Sequence, residues 1–397
     1  MSAIEWKPAT SQEVSQLLTE NYRGPRHPVR IIGGETTPVS PGVQSSGTAS
    51  LWTSGLHRVV DYPARDMTIT VEAGLTISAL QKTLHGEQQQ LPIDVPQADR
   101  ATIGGAIACN VSGPGRFGYG TFRDYVLGIS AVDGQGRLFS AGGRVVKNVA
   151  GYDLCKLLIG SGGSLGVITQ VTLKLVPQSP HRCFLILGFR DAVSLESALE
   201  ILNLSSTRPV VQDVLNAAAV RTLNETVSLK FPEAPYLLCL GYAGTSAETE
   251  WQFQTAVSEL QSLSYSLPQK FEDHDAEIFW KSLTEFQVSR DQSAMLRASV
   301  LPSQVSHVLD QWSSHGLSVQ GHAGNGIVFG HGPENAILLP RPAGDDNQSL
   351  LLTTAGGEIR NVSPRRQLIH TADEIQRRLK ATFDPAGVFC PGSMSIG

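Results

Sequence analysis

No two of the five cysteines in this 397-residue chain stand close enough to form a C-x-x-C pair. Cys109, Cys155, Cys183, Cys239 and Cys390 are scattered, which argues against disulfides, structural zinc and an iron–sulfur cluster housed in this chain. Redox chemistry here would need an organic cofactor. Basic clusters are missing too. Against 36 Asp and Glu, 31 Lys and Arg, never more than two in succession, give a formal charge of −5 and no footprint for nucleic acid. No apolar run approaches the roughly 18 residues of a membrane helix. The opening MSAIEWKPATSQE lacks the apolar core of a signal peptide. A cytoplasmic location is the expectation, with any membrane association peripheral and made through partners.

Familiar catalytic and nucleotide motifs are absent as well. There is no G-x-x-x-x-G-K-[ST] phosphate loop, and the nearest G-x-G-x-x-G, GSGGSLG at 160–166, has Leu165 in place of the third glycine. It also runs from helix into strand, the reverse of the Rossmann order. The same run formally matches a G-x-S-x-G nucleophile elbow at Ser164, again in the wrong order, so a hydrolase is not expected. With no H-E-x-x-H and ten dispersed histidines, no metal site is expected. His322, in GHAGNG, is the one histidine worth weighing, and the favoured reading is a turn residue satisfied by backbone.

What the chain has is glycine, 39 residues of it, concentrated in joints around positions 33, 104 and 162. The stretch ATIGGAIACNVSGPGRFGYG, 101–120, holds six glycines and a single charge, Arg116. Such a segment gives up backbone entropy, so something must approach its main chain closely. Around these joints short elements alternate. Thr10 with Glu13 opens a helix through Val14, Leu17, Leu18 and Tyr22, and PVRII is a strand. DMTITVEAG is a half-buried strand, Thr76 caps a helix carrying Leu80 and Leu84, and a hairpin turns near Asp133 and Gly134. A helix ending at Gly160 and a strand ending at Pro177 complete a first domain, 1–178.

From 179 to 358 the pattern changes to strands such as CFLILGF, PYLLCLGYAG and MLRASVL with longer helices between them, an antiparallel α+β cap. A final segment, 359–397, returns to the first domain, its helix opened by Thr371 with Glu374.

The joints make sense together. A dinucleotide's pyrophosphate can be held without Lys or Arg where backbone N–H groups converge on it, a geometry glycine permits. GGETT and ATIGG would each supply donors, and Thr102 would cap the helix it opens and place a partial positive charge at the phosphates. Each joint alone has a plain reading as a turn. Three in one domain favour a bound nucleotide.

The runs VRIIGGETT, PQADRATIGGAIACNVSGPGRFGYGTFRDYVLG, GGRVVKNVAGYDLCKLLIGSGGSLGVITQVTLKLVP and FDPAGVFCPG resemble the FAD-binding oxidoreductases of the vanillyl-alcohol oxidase (PCMH) type, and within them the FAD-binding subunits of glycolate oxidase. The resemblance implies an α+β fold whose two subdomains hold FAD, with a cap domain over the flavin. It places Gly33, Gly34, Glu35 and Thr36 in a first pyrophosphate loop and Pro96, Thr102, Gly104 and Gly105 in a second. Asn110, Ser112, Gly113, Tyr119, Gly120 and Asp124 would line the ribityl and pyrophosphate side, and Gly162, Gly163, Gly166, Val167 and Ile168 would present backbone to the flavin and adenine.

Departures carry weight. GGETTPVS has no histidine, so FAD is expected to be non-covalent, and Gly163 stands where related GSEGTLG motifs have glutamate. Related 2-hydroxy acid dehydrogenases carry GHxGDGNxH with two metal-binding histidines. Here His322 remains, Phe329 takes the second position, His331 lies elsewhere in the strand, and HTADEIQRR occupies the region of a later SEHGIG. The resemblance implies oxidation of glycolate or a similar 2-hydroxy acid to the 2-oxo acid. A sister FAD subunit would hold the main substrate site and an iron–sulfur subunit would take the electrons. One alternative is a stand-alone dehydrogenase using His322, Arg297, Lys147 or Asn148, with Arg297 favoured as a surface or packing residue. Another is a non-catalytic scaffold that has lost flavin.

Overall fold

The computed structural model describes residues 4–37, 47–143, 153–225, 227–288, 294–333, 349–353, 359–361 and 370–389. Lys147, Asn148 and Cys390 lie outside them. The chain forms two compact units. Unit 1 comprises Met1–Ser112, Thr121–Gln178 and Gln367–Gly397, and unit 2 comprises Gly113–Gly120 and Ser179–Arg366. The eight residues Gly113–Gly120, which the sequence reading kept in the first domain, thus belong with the second.

Unit 1 contains two principal sheets. A parallel one orders Ile4–Trp6, Ala49–Trp52 and Val29–Ile32. An antiparallel one orders Val59–Asp61, Thr68–Glu72, Val167–Lys174, Val126–Val132 and Leu138–Gly142. Helix Ser11–Arg23 starts where Thr10 Oγ1 accepts from Glu13 N at 3.1 Å, and Glu13 reaches back to Ala9 N at 2.8 Å. Helix Ile77–His85 starts in the same way on Thr76.

Two expectations needed correction. Strand Thr68–Glu72 is buried at every position rather than on one face, because the sheet's two faces are both covered. Helix His370–Phe383 begins before Thr371, so that threonine is inside the helix rather than its cap. Beyond this helix the chain pairs Phe389 with Val29, and Val29 N donates to Val388 O at 2.8 Å. Asp384 fastens the return. Its carboxylate accepts from Val388 N and Phe389 N at 3.0 and 2.8 Å and pairs with Lys380 Nζ at 2.7 Å.

Unit 2 is built on one antiparallel sheet of nine strands, in the order Gln269–Glu272, His181–Phe189, Tyr236–Gly244, Val211–Asn216, Ser318–His322, Ile327–Gly332, Ala294–Ser299, Ser349–Thr353 and Ile359–Asn361. Helices Ala192–Asn203, Ser246–Glu259 and Val305–Ser314 cover one face through Leu195, Leu199, Phe253, Leu309 and Trp312. Ala217–Asn224 and Asp273–Glu285 pack on the other through Leu223, Phe279 and Leu283. Strand Val211–Asn216 and the helix after it escaped the sequence reading. Gln212, Asp213 and Asn216 interrupt the apolar pattern, yet all three are buried.

Candidate functional site

In unit 1 the three glycine joints meet one another. A Cβ on Gly33 would collide with Thr102 Oγ1, and one on Gly34 with the carbonyl of Arg100, so the first joint lies directly on the second. The second meets the third where Gly160 N donates to Ile107 O at 3.0 Å and Gly162 N to Ala108 O at 2.7 Å. Gly163 closes the triangle, since a Cβ there would stand 3.2 Å from Ile31 Cδ1 in the strand leading to the first joint. Lys380 Nζ holds the third joint from outside by donating to Ser164 O at 2.7 Å.

The backbone around this junction is bent into conformations that side chains ordinarily avoid. Glu35, Gln97 and Asn110 all have φ near +50°, at 52°, 52° and 48°. Strain of this kind, costing about 1–3 kcal/mol per residue, collects at ligand sites. The N–H groups of Gly34, Glu35 and Thr36 meet no acceptor among the described residues, and the left-handed Glu35 among them is a backbone conformation that anion nests use. The Glu35 carboxylate is neutralised by Arg30 at 2.8 Å. Two buried oxygens at the contact of the second and third joints, Asn110 Oδ1 and Ser161 Oγ, have no hydrogen-bond partner.

Several expected roles change. Thr102 does cap helix Ile103–Ala108, accepting from Gly105 N at 3.3 Å. The neighbouring donors, however, are already engaged, Ile103 N with Leu75 O at 2.9 Å and Gly104 N with Ala73 O at 2.7 Å. The open row on the first joint, rather than this helix end, is what could receive phosphate. Asp124 is occupied in a capping box, accepting Thr121 N at 2.8 Å. Val167 and Ile168 pair with Val132 and Ala131 and bury their side chains in the core, while Gly166 backs onto Val132 O. Pro96 is buried and Ser112 closes the first segment of unit 1. Gly113, Tyr119 and Gly120 sit in unit 2.

Unit 2 has a polar constellation of its own on one sheet face. His322, 2% exposed, is neither a turn residue nor bound by backbone. It ends a strand, directly opposite Asp213, and its Nδ1 lies 2.7 Å from Asp213 Oδ1. Gln320 Nε2 donates to the other oxygen at 2.6 Å. Asp213 is fully buried and its carboxylate can only accept, so His322 Nδ1 carries a proton, and in the neutral ring Nε2 is then the acceptor. Nε2 has no partner, and neither do the buried Gln320 Oε1 and the nearby Asn325 Oδ1.

Across the sheet, Gln320 faces Phe329, and Phe329 faces Arg297. The Phe329 ring stands edge-on to His322, with centroids 5.6 Å apart. Arg297 is half-buried, as a packing residue would be. Its Nε is buried without a hydrogen-bond partner, and burial, followed by the charge of Arg116, holds its guanidinium below the usual arginine range. It remains cationic. Arg116 belongs to the short helix Arg116–Tyr119, which is fixed to this unit by Gly118 N donating to Val210 O at 3.1 Å. His331 is directed elsewhere, its Nε2 bound at 2.6 Å to Phe286 O. Among the described residues, no three His, Cys, Asp or Glu side chains group to hold a metal ion.

Asp213 and Gln320 were missed on sequence. The available signal was a polar residue inside an otherwise apolar strand, at VVQDVLN and SVQGH.

The family model for an FAD binding domain matches residues 3–142. Glycolate oxidase subunit GlcE of Escherichia coli K12 is 39% identical over 145 residues, which is 36% of this chain and 40% of that protein. A D-lactate dehydrogenase of Archaeoglobus fulgidus is 27% identical over 418 aligned positions, covering 98% of this chain and 90% of that protein. Among solved structures, alkyldihydroxyacetonephosphate synthase superposes with a TM-score of 0.66 at 16% identity, over 97% of this chain and 76% of that one. This last likeness concerns the fold alone.

Proposed function

We propose that this chain, which has the PCMH-type FAD-binding fold and is similar to glycolate oxidase subunits and a D-lactate dehydrogenase, is an FAD-dependent oxidoreductase that oxidises glycolate or a similar small 2-hydroxy acid. The observation carrying this reading is the meeting of the three glycine joints in unit 1. They fit FAD. The N–H row of Gly34, Glu35 and Thr36 would take the pyrophosphate, and Asn110 Oδ1 and Ser161 Oγ are buried oxygens suited to cofactor hydroxyl or ring N–H groups. The first loop has no histidine, so the cofactor is held without a covalent bond.

When bound, FAD supplies the two-electron acceptor, the C2 hydrogen leaving with its bonding pair while the hydroxyl proton leaves to a base and C–O becomes C=O. The chain's own part is to hold the reactants and take the proton. Its four described cysteines form no disulfide and are dispersed, so electrons leave for a separate iron–sulfur subunit, with a sister flavin subunit completing the complex. Among the described residues no helix is long and apolar enough to cross a membrane.

A stand-alone dehydrogenase is the second reading. The Asp213–His322 pair, on the same sheet face as Arg297 but two strands away, favours it, because a chain that only stored flavin would have no use for them. One experiment covers both readings. The visible spectrum of the purified chain is recorded, then repeated anaerobically with glycolate and with D-lactate, and acid precipitation tests whether the flavin is released. A yellow protein bleached by either acid, with free FAD in the supernatant, is the expected result. Persistent colour would move the oxidation step to the sister subunit, and a colourless protein that takes up no FAD would overturn the proposal.

A further inference from the structure

Lys380, in helix His370–Phe383, has a side chain only 14% exposed and an ammonium with three acceptors, one for each of its protons. Nζ donates to Ser164 O at 2.7 Å and to Phe389 O at 2.8 Å, and it pairs with the buried carboxylate of Asp384 at 2.7 Å. Two of these acceptors belong to the returning end of the chain, where Val388 O accepts from Val29 N at 2.8 Å. Strand Val29–Ile32 runs directly into the first glycine joint. The third acceptor, Ser164 O, lies in the third joint. One ammonium thus ties the third joint to the anchor of the strand that carries the first.

The third joint needs such a tie. Gly160, Gly162 and Gly163 have φ of 81°, 59° and 76°, and glycine populates either hand, so the local sequence does not hold these bends. The early half of the joint is fastened to the end of helix Ile103–Ala108 by Gly160 N and Gly162 N. In the late half, 163–165, Ser164 turns back on Ser161 O through both its N and its Oγ. Lys380 makes the one polar contact of that half with another segment among the described residues. Ser161, at the base of this turn, is the residue whose buried Oγ has no partner. A cation holds such a carbonyl better than a neutral donor, since a charge-assisted hydrogen bond is about twice as strong.

We infer that Lys380 is a positioning residue for FAD, whose ammonium fixes the third joint through Ser164 O in the shape that retains the cofactor. Its charge is balanced by Asp384, so it acts by placement of the joint. The inference rests on the FAD site proposed above and extends it to a side chain outside the three joints. It is separable from the docking of the returning segment, because Asp384 holds that segment independently by accepting from Val388 N and Phe389 N.

The test is the rate of FAD release from the loaded full chain, read as free flavin separated by ultrafiltration, together with hydrogen exchange of residues 160–166. Lys380→Met combined with Asp384→Asn removes the tie without leaving a buried charge. This double variant is expected to release FAD about tenfold faster or more, the loss expected of a hydrogen bond to a charged group, with faster exchange confined to 160–166. Lys380→Arg, which keeps a cation, should recover part of both. Release and exchange equal to wild type in the folded double variant would overturn the inference. So would exchange that rises equally in strands Thr68–Glu72 and Val126–Val132, the mark of a merely structural residue. Should the double variant not fold, Lys380→Arg decides, since release faster than wild type is expected of it and equal release would overturn the inference. The FAD reading fails separately, in a wild type that is colourless and takes up no FAD.

Discussion

Asp213 is fully buried and accepts hydrogen bonds from His322 Nδ1 and Gln320 Nε2 at 2.7 and 2.6 Å. Removing the carboxylate leaves two buried donors without acceptors, each costing about 1–3 kcal/mol. Asp213→Ala is therefore expected to lower the unfolding free energy by about 2–5 kcal/mol, read by chemical denaturation, whereas Gln212→Ala, lacking that pair of partners, should cost less. At this scale the sequence was partly legible. His322 and Arg297 were singled out by residue type, but their environments were not, because burial and pairing depend on strands that approach from elsewhere in the chain. Asp213 is 109 residues from the histidine it orients. The Thr102 prediction illustrates the opposite case. A hydroxyl before a helix is a local signal and identified the cap, yet the helix's other donors were claimed by Ala73 and Leu75, which no local pattern reveals.

Elements with caps and regular periodicity were read most fully. Helices Ser11–Arg23 and Ile77–His85 begin at the threonines that announce them. Strand Val211–Asn216 was lost because its buried polar residues look like a loop when their partners are unknown. Strand Thr68–Glu72 was recognised but assigned one buried face, and its end carries an ionic contact with a measurable consequence. Glu72 accepts from Arg58 N at 2.8 Å and from Arg58 Nη2 at 2.7 Å. Burial pushes its carboxyl upward, but the hydrogen bonds and charge of Arg58 outweigh that and hold it below the usual value of 4.5. A carboxyl depressed in the folded state contributes stability that is complete above its unfolded value and is lost as the pH falls through the folded one. Denaturation midpoints measured from pH 6 down to 3 should therefore fall, most of all below 4.5, and Glu72→Gln should flatten that slope.

At the scale of the whole molecule, the change from glycine-rich to strand-and-helix texture near 178 marks a real transition between units, while the Gly113–Gly120 excursion does not show in composition. Those eight residues share the glycine richness of their neighbours, and only the seating of Gly118 on Val210 reveals where they belong. Unit 1 needs residues from both ends of the chain, since Val29 pairs with Phe389 and Lys380 supports Ser164. Truncation after Arg366 is expected to abolish FAD retention while the far-UV dichroism of unit 2's sheet persists; retention of the yellow colour would show that the returning segment is dispensable. The pairing of Val29 with Phe389 also sets an order on synthesis. Unit 1 begins before unit 2 and is finished after it, so its cofactor site can close only once translation has reached residue 389, after the last strand of the unit 2 sheet, Ile359–Asn361, has been made.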